Sequence, residues 1–277
     1  MNNILIIGNG QLGSFLHKNI KESDSIDYPE FDITNQNMIK DVVEKYDIII
    51  NAAAYTLVDK AEEESLKCFM INSMGPVMLA SECIKQNKKL VHISTESVYG
   101  SNDPNYMPIK EDHEKNPVNV YAKSKKIADE YIENLNNENI LILRPGWLFG
   151  PNNDHNFVEK IKRVILSKEK INVVDDQIGT MSYVGLLLKA VNAFISGILP
   201  VGSYNIGNEG YPSRYDIACF VRDELKANCI IDRCDSNGFK RAADVAKNSC
   251  LDCSKIKQYI DIDETWQECV NEVLKNE

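Results

Sequence analysis

Positive charge is scarce in this 277-residue chain: 31 Lys and Arg stand against 41 Asp and Glu, a formal net charge of −10. A nucleic-acid binder needs a basic face to offset phosphate repulsion, so that class is excluded. Long apolar runs are also missing. Met1-Asn2-Asn3 leads straight into Ile4-Leu5-Ile6-Ile7 with no basic segment before it, so no signal peptide is expected. The most apolar later stretch, 184–199, is broken by Lys189, Asn192 and Gly197 and reads as a buried helix, not a membrane span. A cytoplasmic protein with neither a membrane nor a nucleic-acid partner is expected. Histidine is rare too, with four residues and no H-x-x-x-H pair. Cys250-x-x-Cys253 therefore lacks two further ligands, no metal site is expected, and the eight cysteines read as reduced thiols. No repeat, low-complexity tract or long linker is present.

What is present is an alternation. Short β-rich runs at 4–7, 25–28, 47–51, 90–94 and 140–143 are separated by helical patterns at 11–21, 35–45, 73–87 and 121–134. Continuous apolar strands such as Ile48-Ile49-Ile50 suit a sheet covered on both faces. The order predicts an α/β, Rossmann-type, doubly wound parallel sheet. After Pro145 the pattern loosens into strands at 171–174, 203–206 and 227–232, with helices at 183–195, 213–225 and from Trp266. We read 1–145 as a dinucleotide-binding domain to which parts of 171–206 return, and 146–277 as mainly a smaller, partly interleaved substrate-binding lobe. Glu268, Glu272 and Glu277 near the C-terminus read as a solvated helix face.

Gly8-Asn9-Gly10-Gln11-Leu12-Gly13 is a G-x-G-x-x-G directly after the first strand and opening a helix. The glycines allow a tight turn, close approach of backbone to a pyrophosphate and close helix–strand packing, and the helix N-terminus supplies N–H donors. Asp27 ends the second strand 19 residues after Gly8. A carboxylate there accepts hydrogen bonds from the adenosine ribose and repels a 2′-phosphate, so NADH is favoured over NADPH as cofactor. Tyr121 and Lys125 lie four residues apart on a helical pattern, hence on one face. An ammonium beside a phenol lowers its pKa from the usual value near 10, and the pair can then move a proton to or from a carbonyl or alcohol.

Several stretches together resemble the extended short-chain dehydrogenase/reductases, most closely the dTDP-4-dehydrorhamnose reductase family. Residues 51–62, Asn-Ala-Ala-Ala-Tyr-Thr-Leu-Val-Asp-Lys-Ala-Glu, follow N-A-A-A-x-T-x-V-D-x-A-E. Pro117-Val118-Asn119-Val120-Tyr121 with Lys125 matches P-x-N-x-Y-x-x-x-K, Ser94-Thr95-Glu96 answers S-T-D, and Asp176-Gln177-Ile178-Gly179 matches D-Q-x-G. The resemblance implies reduction of the 4-keto group of a nucleotide-linked deoxysugar, dTDP-4-dehydrorhamnose to dTDP-rhamnose, by a monomer or homodimer using NADH or NADPH, in surface-polysaccharide precursor synthesis. It also implies roles. Thr95, Tyr121 and Lys125 are catalytic. Gly8, Gly10, Gln11, Leu12 and Gly13 hold the pyrophosphate, and Asp32 and Ile33 border the adenine. Ala52, Ala53, Ala54 and Asn72 lie along the dinucleotide, with Tyr121 and Lys125 at its nicotinamide end. Thr95, Glu96 and Trp147 meet the substrate.

The departures from the family pattern cluster in the substrate half. Glu96 replaces an Asp, Arg144-Pro145-Gly146-Trp147 replaces R-T-S-W, and Val245 stands where R-P-x-x-S has its arginine. A guanidinium could hold a diphosphate bidentately and Val245 cannot; Lys247, Arg241 and Arg214 are the candidate replacements. A 4,6-dehydratase is disfavoured because Ser97 occupies the position of a needed second carboxylate. Other readings are a reductase or 4-epimerase of a GDP- or UDP-linked sugar, and a non-catalytic NAD(P)-binding subunit like the regulatory subunit of methionine adenosyltransferase.

Overall fold

The computed structural model describes residues 3–151, 156–238 and 240–275. Six parallel strands form the central sheet in the order β10-β5-β4-β3-β1-β2. They are β1 (Ile4–Ile7), β2 (Ser23–Ile26), β3 (Ile48–Asn51), β4 (Lys89–Ile93), β5 (Ile140–Pro145) and β10 (Gly202–Ile206). Successive strand side chains point to opposite faces, so a run of apolar residues feeds two cores at once. Ile4, Ile6, Ile48, Ile50, Leu141 and Leu143 enter the core on one face, while Leu5, Ile7, Ile49, Ile140 and Ile142 enter the other.

The covering helices follow from the same chain. They include α1 (Gln11–Asn19), α2 (Gln36–Lys45), α3 (Val58–Ala61), α4 (Ser65–Phe69), α5 (Gly75–Lys85) and α6 (Val120–Asn134). A π-helical turn, Met70–Met74, joins α4 to α5, so helix begins well before the expected residue 73. The second half adds β6 (Trp147–Phe149), α7 (Phe157–Ser167), β7 (Lys170–Val174), β8 (Ile178–Gly179), β9 (Met181–Tyr183), α8 (Val184–Ile195), α9 (Arg214–Glu224), β11 (Ile230–Cys234), β12 (Asn248–Ser249) and α10 (Trp266–Lys275). Here the strands pair only two at a time, all parallel: β6 with β9, β7 with β11 and β8 with β12. Only β10 of this half joins the central sheet; 170–174 does not.

Some element ends move for identifiable reasons. The expected strand 25–28 is observed as Ser23–Ile26, because the chain turns away once the Asp27 carboxylate takes the Tyr28 and Asn9 N–H groups, and Pro29 has no N–H with which to continue a ladder. The strand expected at 227–232 starts at Ile230, since Lys226 adopts φ +51° and Ala227 N–H closes the end of α9 on the Arg222 carbonyl. Segment 184–199 forms the buried α8, packed on α1 and β5. Among the described residues no helix is long and apolar enough to cross a membrane. Glu268 and Glu272 are more than a solvated face. Glu268 accepts from the Thr265 N–H and hydroxyl, and Glu272 accepts from the Tyr183 hydroxyl at 2.8 Å. Glu277 lies outside the described residues.

Candidate active site

The C-terminal ends of β1 and β3 meet where the strand order reverses, the position at which open α/β sheets take ligands. The glycine loop sits there, and its residue types are dictated by distance. Gly8 has φ +96°, and a Cβ on it would stand 2.6 Å from Ala53 N. A Cβ on Gly13 would lie 1.7 Å from the Gly8 carbonyl oxygen, whereas around Gly10 there is nothing within 4 Å. Gly8 and Gly13 are thus required by the fold, and Gly10 leaves open space over the N-terminus of α1. That bare, donor-rich cradle fits a pyrophosphate. Ala52, Ala53 and Ala54 line its other side, partly exposed. Asp27 reaches the loop, accepting from Asn9 N at 2.7 Å.

Other residues expected at the dinucleotide have their side chains engaged with protein. Leu12 and Ile33 are core residues, Ile33 packing against Gly75. Asp32 accepts from both the backbone and hydroxyl of Thr34. Gln11 donates to the Gly150 carbonyl at 3.3 Å. Asn72 is fully buried, clamping Tyr55 through both its N–H and C=O and donating to Ser124 on α6. It positions the loop after β3 against α6.

Tyr121 and Lys125 occupy the first turns of α6. The Asn119 side chain caps that helix by accepting from Ala122 N at 2.8 Å, and the Glu62 carboxylate accepts from Val120 N at 2.9 Å. Lys125 is buried and donates to the Ile93 carbonyl, at the end of β4, at 2.6 Å. Burial pushes its pKa down to about 8, opposed by the Asp129 carboxylate one turn along the helix. Thr95 caps the turn that follows β4 and donates to Glu96 at 2.6 Å. The Tyr121 phenol is near enough to Thr95 for the hydroxyl to lower its pKa, and Thr95, Tyr121 and Lys125 gather around the end of β4.

One electrostatic expectation does not hold. The phenol of Tyr121 is raised above its ordinary pKa, by desolvation first and by the Glu96 charge second, with Thr95 working in the opposite sense. The Lys125 ammonium faces the Ile93 carbonyl and contributes nothing to lowering it. The Glu96 carboxyl is itself raised by burial, against hydrogen bonds from Thr95 and Ser97 and the nearby Arg214 charge. Its additional methylene relative to Asp is what lets Glu96 fold back onto its neighbour Thr95.

Beneath the triad lies a buried charge network that sequence reasoning missed. Arg144, with no exposed surface, donates through Nε and Nη2 to both oxygens of Asp129 at 2.9 and 2.6 Å. It also pairs with Glu133 and donates to the Tyr99 hydroxyl at 3.0 Å, and Lys115 reaches Asp129 at 2.8 Å. Tyr99 closes the turn that Thr95 begins, and Asp129 lies two turns below Tyr121. Arg144 therefore fixes the turn that carries Thr95 and the helix that carries Tyr121 and Lys125 to one another. The i, i+4, i+8 spacing of Tyr121, Lys125 and Asp129 was the available signal.

On the substrate side, a cavity of about 590 Å3 is lined by Trp147, Phe157, Gln177, Arg214, Arg241 and Val245, among others. Trp147 is held by its N–H on the Thr180 carbonyl at 2.8 Å, and Gly179 allows its ring to lie close. The Arg214 guanidinium stacks 3.5 Å from the Trp147 ring centroid. Arg241 forms a two-pronged pair with Asp59, and Lys247 pairs with Asp176 at 3.0 Å. A further cleft of about 820 Å3 lies near Glu111, Glu133 and Ser203; Thr95, Tyr121 and Lys125 line neither cavity.

The whole chain, residues 1–277, matches the model of the RmlD substrate binding domain family. A dTDP-4-dehydrorhamnose reductase of Aggregatibacter actinomycetemcomitans is 33% identical over 294 residues, covering 99% of this chain and 98% of that protein. Two solved structures are also similar. The dTDP-4-dehydrorhamnose reductase of Clostridium acetobutylicum superposes with a TM-score of 0.91 at 30% identity, over 98% of both chains. That of Bacillus anthracis, in complex with NADP, gives 0.90 at 30% identity over 99% of this chain and 98% of its own.

Proposed function

This chain belongs to the RmlD substrate binding domain family, and from that premise we propose that it reduces dTDP-4-dehydrorhamnose to dTDP-rhamnose at the expense of a nicotinamide dinucleotide. The observation that carries the reading is the convergence of Thr95, Tyr121 and Lys125 at the end of β4. The cofactor, when bound, supplies hydride to the keto carbon. The residues of the chain do the rest. As negative charge develops on the keto oxygen, Tyr121 gives it a proton and Thr95 donates a hydrogen bond to it. In the structure the Thr95 proton rests on Glu96. To serve the substrate it turns to the keto oxygen, which frees the Glu96 carboxylate to accept from a sugar hydroxyl. The raised phenol of Tyr121 keeps its proton until that charge appears, as suits a proton donor. Lys125, charged below about pH 8, keeps positive potential at the site.

The Asp27 carboxylate beside the loop supports NADH in preference to NADPH, because a 2′-phosphate would face a fixed negative charge. We place the enzyme in the cytoplasm, and take residues 1–145 with the returning β10 as the dinucleotide half and most of 146–277 as the substrate half. The test is oxidation of NADH and NADPH with a panel of dTDP-, GDP- and UDP-linked 4-keto-6-deoxy sugars. Fastest turnover is expected with the dTDP sugar. Reduction of a GDP or UDP sugar alone would replace the substrate, and no reduction of any would remove the reductase reading.

A further inference from the structure

Three cations were candidates for the diphosphate of the substrate, and the structure separates them. Arg241 is fastened to Asp59 through Nε and Nη2 at 3.2 and 3.0 Å, and the Ala243 N–H joins the same carboxylate. This binding holds the segment around Arg241 to α3. Lys247 is paired with Asp176, which also accepts from Ser236. Arg214 has neither an ion pair nor a hydrogen bond among the described residues. Its guanidinium carbon lies over aromatic rings, 3.5 Å from the centroid of Trp147 and 4.8 Å from that of Phe157.

Resting on the nucleotide-sugar substrate proposed above, we propose that Arg214 is the cation that receives the diphosphate. Three observations converge on it. A guanidinium held over aromatic rings, with no hydrogen bond or ion pair among the described residues, has N–H groups left with which to meet two phosphate oxygens side by side. It borders the Trp147 cavity, and its charge is felt by Glu96, next to Thr95, so it is linked to both the cavity and the Thr95 turn. A cation largely surrounded by protein, with only the Glu96 charge acting in its favour, is costly, and an arriving dianion lowers that cost. The same desolvation pulls the guanidinium down to about 9. Lys160 and Lys240, which also border the cavity, are exposed to solvent.

Calorimetric titration of the full chain with dTDP, UDP, GDP and thymidine, with the dinucleotide site saturated by NADP+ or NAD+, tests this. Arg214→Met is expected to weaken the tightest of the three nucleoside diphosphates by about 10- to 100-fold and to leave thymidine binding unchanged. Arg214→Lys, which keeps the charge without the fork, should lose part of the affinity and guards against a Met variant that fails to fold. Arg241→Met and Lys247→Met should stay within about threefold of wild type. An unchanged diphosphate affinity in both Arg214 variants overturns the proposal. So does an equal loss for thymidine, which would mark a packing role, a main loss in either other variant, or failure of wild type to bind any of the three. Tight diphosphate binding without any NADH or NADPH oxidation would instead sink the reductase reading and leave Arg214 in its role.

Discussion

In the first half of the chain, a Cβ on Gly13 would stand 1.7 Å from a backbone oxygen, beside strands such as β1 and β3 that pair along apolar runs. In the second half, β10 apart, strands pair only in twos and the cavity wall is held by side-chain contacts such as Arg241 with Asp59 and Arg214 with Trp147. Backbone packing leaves few alternatives, because nothing smaller than glycine exists to relieve a clash. Side-chain pairs can be exchanged one at a time. Of the departures from the family pattern, Val245 falls in the second kind of structure; Glu96 lies beside β4, and Gly146, where a Cβ would stand 2.2 Å from the Thr180 carbonyl oxygen, is held by backbone packing as the glycine loop is.

The contrast breaks most visibly at the glycines. Gly13→Ala should prevent stable folding, since neither contacting atom can move without disturbing β1. Gly10→Ala should leave the melting temperature within the effect of about 1 kcal/mol while weakening dinucleotide affinity, because its surroundings are open. Thermal unfolding with and without cofactor checks both, and equal melting temperatures for the two variants would contradict the distinction.

The buried network sits on the boundary between the halves. Asp129→Asn leaves the Arg144 charge without its two-pronged partner in a site with no exposed surface. A loss of about 3–5 kcal/mol in denaturant unfolding is expected. A loss below about 1 kcal/mol, the range of surface pairs, would show that the network does not hold the catalytic helix.

The pH profile sharpens the comparison at Lys125. Burial holds its ammonium down to about 8, below the ordinary lysine value near 10.4. The unfolded chain thus binds this proton more tightly than the native one, so this group makes stability rise with pH between about 8 and 10.4. Activity runs the other way, since the charged form is the useful one. Asp129 on α6, Cys68 on α4, His92 on β4 and Arg144 on β5 are the titratable and charged groups in its surroundings. The kcat/KM of the free enzyme should fall as pH rises through about 8, and a flat profile to pH 10 would rule out Lys125 as the controlling group. The smallest effect belongs to Asp27→Asn, which should raise the NADPH-to-NADH ratio of kcat/KM by about fivefold, the worth of one exposed repulsion of about 1 kcal/mol.

The halves were also unequally legible in the sequence. Ile4–Ile7 and Ile48–Asn51 announce themselves because a doubly covered strand is apolar throughout, and Gly8–Gly13 because spacing and strand context coincide. The triad could be named because Tyr121 and Lys125 share a helix and Thr95 follows a strand. What residues 59 and 62 do could not be seen, as Asp59 meets Arg241 and Glu62 caps α6 across chain separations that carry no local pattern. The same holds for Arg144, whose partners lie on other elements. The expected Lys125 effect on the phenol failed for a related reason. Four-residue spacing fixes a shared face, while the direction in which an ammonium points is set by an acceptor elsewhere, here the Ile93 carbonyl.

The most direct measurement of the central claim follows deuterium from the C4 position of a labelled reduced dinucleotide into dTDP-4-dehydrorhamnose, with wild type and Tyr121→Phe. One deuterium at sugar C4 is predicted for wild type, with the rate lowered about 10²–10⁴-fold in the variant and dinucleotide binding retained. Turnover with no label in the sugar, or equal rates for the two proteins, would contradict the account.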